Sequence, residues 1–210
     1  MKIKPFQLGA FGTNSYIIYD TEECYVVDAP DGMDRLIRFV RENGIALKGI
    51  LLTHAHFDHI AGLPEILEAF PGLSVHVSAD DFFLIRDGYR RTLELINYCS
   101  PIYLRYFHRE EMPGIEAYTA YGGSIAGFEV IKTPGHTPGS VSLYSEHEGL
   151  LFSGDTLFQR SIGRADLDGD QQDLLISLQL LARLPEDTFV CPGHGPFTTI
   201  GEEKRHNPFL

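Results

Sequence analysis

The chain has 210 residues, 43% of them hydrophobic and 22% charged, which suits one packed domain and excludes wholesale disorder. With 17 Lys and Arg against 29 Asp and Glu, the formal net charge of −12 disfavours a nucleic-acid partner. No run approaches the roughly 18 consecutive apolar residues of a membrane span, and the three cysteines are too few for a disulfide framework. Because no signal-peptide pattern follows Met1, we expect a cytoplasmic protein that does not bind membranes.

Strands and helices alternate along the chain without a composition break that would mark a linker. Apolar patterning predicts strands over 14–19, 24–28, 48–53, 74–78, 124–131, 140–144, 150–153 and 188–191. Helices are predicted over 33–42 with Asp31 as the cap, over 60–70, over 172–184, and after a capping box formed by Thr199 and Glu202. We therefore expect an α/β protein with a single domain over residues 1–210.

Residues 79–118 form an insert that is rich in aromatic residues and arginine and whose periodicity is weak. One interpretation is a helical lid that provides a positively charged wall for an anionic substrate. The other is a packed flap or a homodimer surface, since interfaces accumulate the same residue types. The sequence favours neither.

The most informative motif is His54-Ala55-His56-Phe57-Asp58-His59, which follows a predicted strand and precedes a predicted helix. His54 and His56, two residues apart, project to the same side of an extended backbone. Asp58 and His59 are adjacent at a helix start and point toward a second position. The spacing therefore indicates two pairs of ligands for two neighbouring metal sites. The alternative is a polar loop in which the four side chains have no common role.

Three further motifs place a potential ligand after a strand end and a Gly or Pro: 133–137 (TPGHT), 153–156 (SGDT) and 191–195 (CPGHG). Each motif alone is more typical of an ordinary turn or loop than of a metal site. Together they complete two sets of three ligands and add a carboxylate that bridges them, which offsets the repulsion between two cations. The predicted ligands are His54, His56 and His136 for the first metal, Asp58, His59 and His194 for the second, and Asp155 as the bridge.

Imidazole and carboxylate ligands suit two zinc ions, although iron and manganese are also compatible. We expect Asp58 and Asp155 to take part in catalysis as well as in metal binding. Asp28, at the end of an apolar strand, either fixes the tautomer of a ligand imidazole from behind or starts a turn.

Other polar residues have predicted roles outside the ligand set. Arg164 and Asp166 are expected to form an ion pair that orders the loop after the bridging aspartate. Asn14 is expected to position the first hairpin, and Cys191 to be a small core residue. The histidines without ligand context, expected on the surface or in the core, are His76, His108, His147 and His206.

In their order along the chain, HAHFDH, PGHT, SGD and PGHG resemble the motifs of the metallo-β-lactamase superfamily. Residues 161–166 (SIGRAD) and the chain end over 193–210 are similar to short, single-domain glyoxalase II-like (hydroxyacylglutathione hydrolase-like) hydrolases. The resemblance covers nearly the whole chain apart from the 79–118 insert. It implies an αβ/βα four-layer sandwich, with two mixed β-sheets flanked by helices and the metals at one edge.

The resemblance also implies cleavage of a small-molecule thioester by a hydroxide held between two metals. A thiolate leaves without a proton donor, since a free thiol has a pKa of about 8.5. The true β-lactamases of the superfamily lack a bridging aspartate, so Asp155 disfavours antibiotic hydrolysis. Full-length glyoxalase II enzymes use a C-terminal helical domain to bind glutathione, whereas only residues 195–210 follow His194, so glutathione specificity stays open. The alternatives are a mononuclear-iron persulfide dioxygenase-like oxidoreductase and a lactonase or esterase.

Overall fold

The structure, a computed structural model, describes residues 1–20, 23–85 and 118–210. In these ranges the strands form two six-stranded sheets and a separate two-stranded hairpin. The helices cover the outer faces of the two sheets, as the buried clusters below show. The expected α/β class and the αβ/βα four-layer sandwich are both confirmed.

The first sheet contains the first six strands in chain order: β1 (Lys2–Leu8), β2 (Thr13–Tyr19), β3 (Cys24–Val27), β4 (Leu47–Leu51), β5 (Ser74–Val77) and β6 (Tyr118–Ala120). β1, β2 and β3 are antiparallel, whereas β3 to β6 are parallel. Parallel neighbours need a crossover connection, and helices provide it. These helices are α1 (Asp34–Glu42) between β3 and β4, and α2 (Phe57–Ile60) and α3 (Leu63–Ala69) between β4 and β5.

The remaining strands are β7 (Ser124–Ile125), β8 (Phe128–Lys132), β9 (Val141–Ser145), β10 (Leu150–Gly154), β11 (Leu157–Phe158), β12 (Ser161–Ile162), β13 (Phe189–Pro192) and β14 (Thr198–Thr199). β11 and β12 form the separate hairpin, and the others lie in the order β14-β13-β10-β9-β8-β7. Only β10 and β13 are parallel, and the chain between them includes α4 (Gln171–Leu181). The last helix is α5 (Ile200–His206).

Alternation along the strands separates three buried clusters. In β2, Tyr16 and Ile18 pack between the sheets, whereas Ile17 packs under α1 and α3. In β10, Phe152 packs between the sheets and Leu151 packs under α4 and α5. Because successive side chains of a strand point to opposite faces, a strand buried on both faces has a continuous apolar sequence. This is the pattern from which most of these strands were predicted.

Two strand predictions need correction, and the short strands β6, β11, β12 and β14 were not predicted at all. The sequence predicts no strand over Lys2–Leu8, because β1 is an edge strand in which only Phe6 and Leu8 are buried. The single strand predicted over 124–131 is instead the β7–β8 hairpin. Ala126 and Gly127 turn the chain with φ angles of 52° and 77°, as a tight two-residue hairpin loop requires.

The helix predictions are correct in position but not in every boundary. The helix predicted over 60–70 is divided into α2 and α3, and α2 begins earlier, at Phe57. Met33, not Asp31, precedes α1. The helix predicted over 172–184 ends at Leu181. The predicted cap of α5 is confirmed, since Thr199 Oγ1 accepts a hydrogen bond from the Glu202 backbone N–H at 3.2 Å.

Residues 86–117 lie outside the described ranges, and with them the proposed lid or dimer surface and the prediction for His108. Across the described ranges, the structure contains no helix that combines the length and the apolar character needed to cross a bilayer.

Candidate metal centre

The predicted ligands follow the carboxyl ends of strands from both sheets. His54 and His56 lie in the loop after β4, and Asp58 and His59 lie in α2. The other three follow strands of the second sheet, at the ends of β8, β10 and β13; they are His136, Asp155 and His194. The structure brings all seven side chains together.

The first group, site 1, consists of His54, His56 and His136. One ring nitrogen from each lies within 4.8 Å of the others, and all three residues are buried. His56 Nδ1 lies 2.7 Å from His136 Nε2. Three convergent imidazoles are a set that could hold one divalent cation.

The second group, site 2, consists of Asp58, His59 and His194, again within 4.8 Å of one another. His194 Nε2 lies 3.1 Å from Asp58 Oδ2 and 3.4 Å from His59 Nε2. Asp58 and His59 are adjacent in α2 and both reach this site, as the spacing predicts. His59 also lies within 4.8 Å of His54 and Asp155, so it borders site 1 as well.

Asp155 lies between the two sites. Its Oδ2 is 3.5 Å from His136 Nε2 of site 1 and 3.4 Å from His194 Nε2 of site 2. Its Oδ1 is 3.3 Å from His59 Nε2. A carboxylate in this position can serve both groups at once, which is the placement expected of a bridging ligand.

Asp28 contacts one imidazole in each site, directly or through a hydroxyl. Its Oδ2 accepts hydrogen bonds from His59 Nδ1 at 2.9 Å and from Thr53 Oγ1 at 2.8 Å. The Thr53 hydroxyl has one proton and gives it to Asp28, so at 3.1 Å it accepts from His54 Nδ1. Both imidazoles therefore carry a proton on Nδ1 and direct Nε2 toward the sites, which is how a carboxylate orients a ligand imidazole.

His136 is oriented by a backbone group instead. Its Nδ1 donates to the Arg164 carbonyl oxygen at 2.6 Å, which leaves Nε2 with its lone pair toward site 1. The predicted ion pair is confirmed, since the Arg164 guanidinium donates two hydrogen bonds of 2.7 Å to the Asp166 carboxylate. This exposed pair constrains the loop whose backbone holds the imidazole.

The two sites differ in the proton affinity of their imidazoles. In site 1, burial lowers the pKa of His54 well below its usual value and that of His136 to about 4. In site 2, burial also acts against the charged form, but the surrounding carboxylates, Asp155 foremost, raise the pKa values of His59 and His194. His59 and His194 are therefore more basic than His54 and His136.

The donor set fits a cation. Burial opposes ionisation of Asp155, yet the neighbouring His59 brings the pKa of that carboxyl down to about 2, so it is charged at neutral pH. His54 Nε2 is buried, and among the described residues it has no hydrogen-bond partner. A buried polar atom without a partner costs about 1–3 kcal/mol, a penalty that a bound metal ion would remove.

The structure places the other singled-out residues of the described ranges where the sequence predicts them. Asn14 Nδ2 donates to the carbonyls of Pro192 and Gly195, so it ties β2 to the loop that carries His194, as expected. Cys191 is buried in the core, and burial raises the pKa of its thiol to about 12. The histidines that lie away from both sites in the described ranges are His76, His147 and His206.

Sequence reasoning missed three residues near the sites. Thr13 Oγ1 donates to Asp58 Oδ2 at 3.0 Å, and Asp168 Oδ2 lies 3.5 Å from His56 Nε2. Asp81 accepts hydrogen bonds from the loops that follow β4 and β8. All three contacts join segments far apart in sequence, and no local spacing indicates them.

A four-layer sandwich with clustered His and Asp side chains at its strand ends defines a class of metal-binding α/β proteins. A family model described as metallo-beta-lactamase superfamily matches residues 8–194. The chain belongs to this superfamily and is a metallo-hydrolase with a candidate His/Asp metal site.

Two curated relatives match over the full length. The chain is 34% identical over 215 residues to "Probable metallo-hydrolase YqgX" of Bacillus subtilis (strain 168), covering 100% of this chain and 98% of the relative. It is 34% identical over 217 residues to "Hydroxyacylglutathione hydrolase GloC" of Haemophilus influenzae, with the same coverage of 100% and 98%.

Two solved structures are similar over nearly all of both chains. TTHA1623, solved in a di-iron-bound form, has a TM-score of 0.85 and 34% identity, covering 99% of this chain and 100% of that chain. BLEG-1, named a B3 metallo-beta-lactamase, has a TM-score of 0.82 and 37% identity, with coverages of 100% and 99%.

Proposed function

We propose that the chain is a thioester hydrolase that works through two divalent metal ions, one in site 1 and one in site 2. The observation that carries this proposal is the position of Asp155, whose carboxylate oxygens lie 3.3–3.5 Å from imidazoles of both sites. Two adjacent cations repel each other, and a shared anionic ligand offsets that repulsion.

The ligand chemistry favours zinc, with neutral imidazoles and carboxylates completing each shell. The di-iron form of TTHA1623 supports the same number of metals in a relative, and the ligand set also suits iron. We propose two metal ions per chain, and zinc as their identity.

When bound, the two metals would lower the pKa of a shared water so that hydroxide forms at neutral pH, and would stabilise the oxyanion. The chain's own residues hold this arrangement. Asp155 and Asp58 supply the negative charge that balances the cations, and Asp28 orients two of the imidazoles so that Nε2 points toward the sites.

Two considerations support a thioester as the substrate. GloC, a full-length relative, is named a hydroxyacylglutathione hydrolase. In addition, each imidazole of the described cluster belongs to one of the two ligand groups, so none is left to protonate a leaving group. A thiolate does not need that proton, because its conjugate acid has a pKa of about 8.5, whereas an amine or alkoxide does.

A second candidate activity is β-lactam hydrolysis, and the similarity to BLEG-1 favours it. Asp155 argues against it, since the resemblance assigns a bridging aspartate to the hydrolases of the glyoxalase II type. The persulfide dioxygenase and lactonase alternatives belong in the same test.

To test the proposed activity, turnover is measured with protein that has been reconstituted with zinc or with iron. S-Lactoylglutathione, a simple acyl-thiol ester, a lactone, a β-lactam and a persulfide are supplied in turn, and thiol release or substrate loss is followed. We expect thioester cleavage to have the highest kcat/KM. His136→Ala should abolish it, whereas His147→Ala, at a residue whose side chain is 92% exposed, should not change it.

Each other result points elsewhere. Faster cleavage of the lactone or the β-lactam refutes the thioester assignment but keeps the metal centre. Oxygen-dependent persulfide loss with one iron per chain supports the dioxygenase alternative. The cytoplasmic location and a homodimer through residues 79–118 stay predictions.

A further inference from the structure

A buried carboxylate outside the ligand set joins the two loops that form site 1. Asp81 lies at the end of a short 3-10 turn, Ala79–Asp81, that follows β5. Its Oδ2 accepts hydrogen bonds from the Ala55 backbone N–H and from Thr137 Oγ1, each at 2.9 Å. Its Oδ1 accepts from the Gly139 backbone N–H at 2.7 Å.

Two of these donors are adjacent in sequence to the predicted ligands of site 1. Ala55 stands between His54 and His56, and Thr137 directly follows His136. All three ligands of site 1 are therefore carried by two loops that the same carboxylate holds together. The hydrogen bonds of Asp81 within the described ranges go to these loops and not to a residue of site 2.

The Asp81 carboxylate is tightly packed against Gly139. A Cβ atom placed on Gly139 would lie 2.5 Å from Asp81 Cγ, so any side chain there would push the carboxylate away. Three donors converge on two acceptor oxygens, and an amide in place of the carboxylate would direct an N–H₂ group at one or two of them. The spacing of the loops therefore depends on a charged, acceptor-only group.

We propose that Asp81 is a positioning residue that sets the distance between the two loops of site 1 and so controls metal affinity at site 1 but not at site 2. This inference rests on the proposed two-metal centre. It separates Asp81 from Asp28, which contacts an imidazole of site 2 directly and one of site 1 through a hydroxyl.

The experiment measures metal dissociation constants by titration against a chelator in two single-site backgrounds. His194→Ala leaves site 1 intact, and His136→Ala leaves site 2 intact. Asp81→Asn should raise the dissociation constant of site 1 about tenfold or more, as substitutions of residues that hold metal ligands in place generally do. The dissociation constant of site 2 should not change. Asp80→Asn is the matched control, because this neighbouring carboxylate is 54% exposed and pairs with Lys132.

The proposal is overturned if Asp81→Asn weakens metal binding equally at both sites, or if it weakens metal binding at neither site. The thermal midpoint of each metal-free variant is measured in parallel, so a general loss of structure is recognised. If Asp81→Asn does not fold, Thr137→Val replaces it, since it removes one donor to the same carboxylate, with Thr137→Ser as the variant that restores the hydroxyl.

Wild-type stoichiometry distinguishes the two failures. A wild type that binds no metal at site 1 overturns both proposals. A wild type that binds two metals, combined with an Asp81→Asn variant whose site 1 is unaffected, overturns only the role of Asp81.

Discussion

Replacing Asp28 by Asn tests how far one buried side chain organises both sites. The carboxylate accepts three hydrogen bonds, from the Thr53 backbone N–H, the Thr53 hydroxyl and His59 Nδ1, at 2.8–2.9 Å. The backbone of Asp28 has a φ of 58°, a conformation that asparagine adopts readily. The substitution therefore changes the hydrogen bonding without straining the chain.

The structure gives the size of the effect. An Asn side chain can keep its oxygen on the Thr53 backbone N–H, but its N–H₂ group then faces the two donors that Oδ2 accepted. Two hydrogen bonds to a charged group are lost, at about 1.5–3 kcal/mol each, so the free energy of unfolding of the metal-free protein should fall by about 3–6 kcal/mol. His59 is released from its tautomer, and metal affinity should fall about 10- to 100-fold.

Denaturant unfolding of the metal-free protein and metal titration measure the two effects. Asp187→Asn, at an exposed turn residue, makes the same chemical change away from the sites and should alter neither quantity. An Asp28→Asn variant that binds two metals with wild-type affinity would refute the reasoning about tautomers.

Three further predictions address the same centre. Gly193→Ala would place a Cβ atom 2.1 Å from Asp155 Oδ1, so kcat/KM should fall about 100-fold, whereas Gly122→Ala, whose Cβ would meet no atom of the described residues within 4 Å, should be neutral. Because the pKa values of His59 and His194 are raised, protons compete with metal there, and site 2 affinity should fall more steeply than site 1 affinity as pH decreases from 8 to 5 in titrations. Chelation should lower the thermal midpoint by about 10–20 °C relative to protein with both sites supplied with metal at a hundred times their dissociation constants, and zinc should restore it; an unchanged midpoint would contradict metal binding by the folded chain.

Local spacing in the sequence was sufficient to predict the candidate ligands. In HAHFDH, alternation in extended backbone and adjacency at a helix start assign the four side chains to two directions, and the structure has this arrangement. The layers of the fold were also predictable, because β10 and the last three residues of β4 are buried on both faces and have nearly continuous apolar sequences.

Contacts that depend on the folded chain could not be predicted in this way. The Arg164 carbonyl that holds His136 is a backbone group, and every residue has one. Asp81 lies at the start of a segment with weak periodicity. The three residues that donate hydrogen bonds to its carboxylate are 26, 56 and 58 residues away along the chain. The edge strand β1 was missed because most of its side chains are exposed, so it lacks an apolar pattern.

Anomalous diffraction from crystals of the metal-loaded protein, recorded at the absorption edge of the bound metal, tests the central claim most directly. We expect two peaks per chain, one among His54, His56 and His136 and one among Asp58, His59 and His194, with Asp155 in contact with both. A single peak, or a second peak outside these side chains, would contradict it.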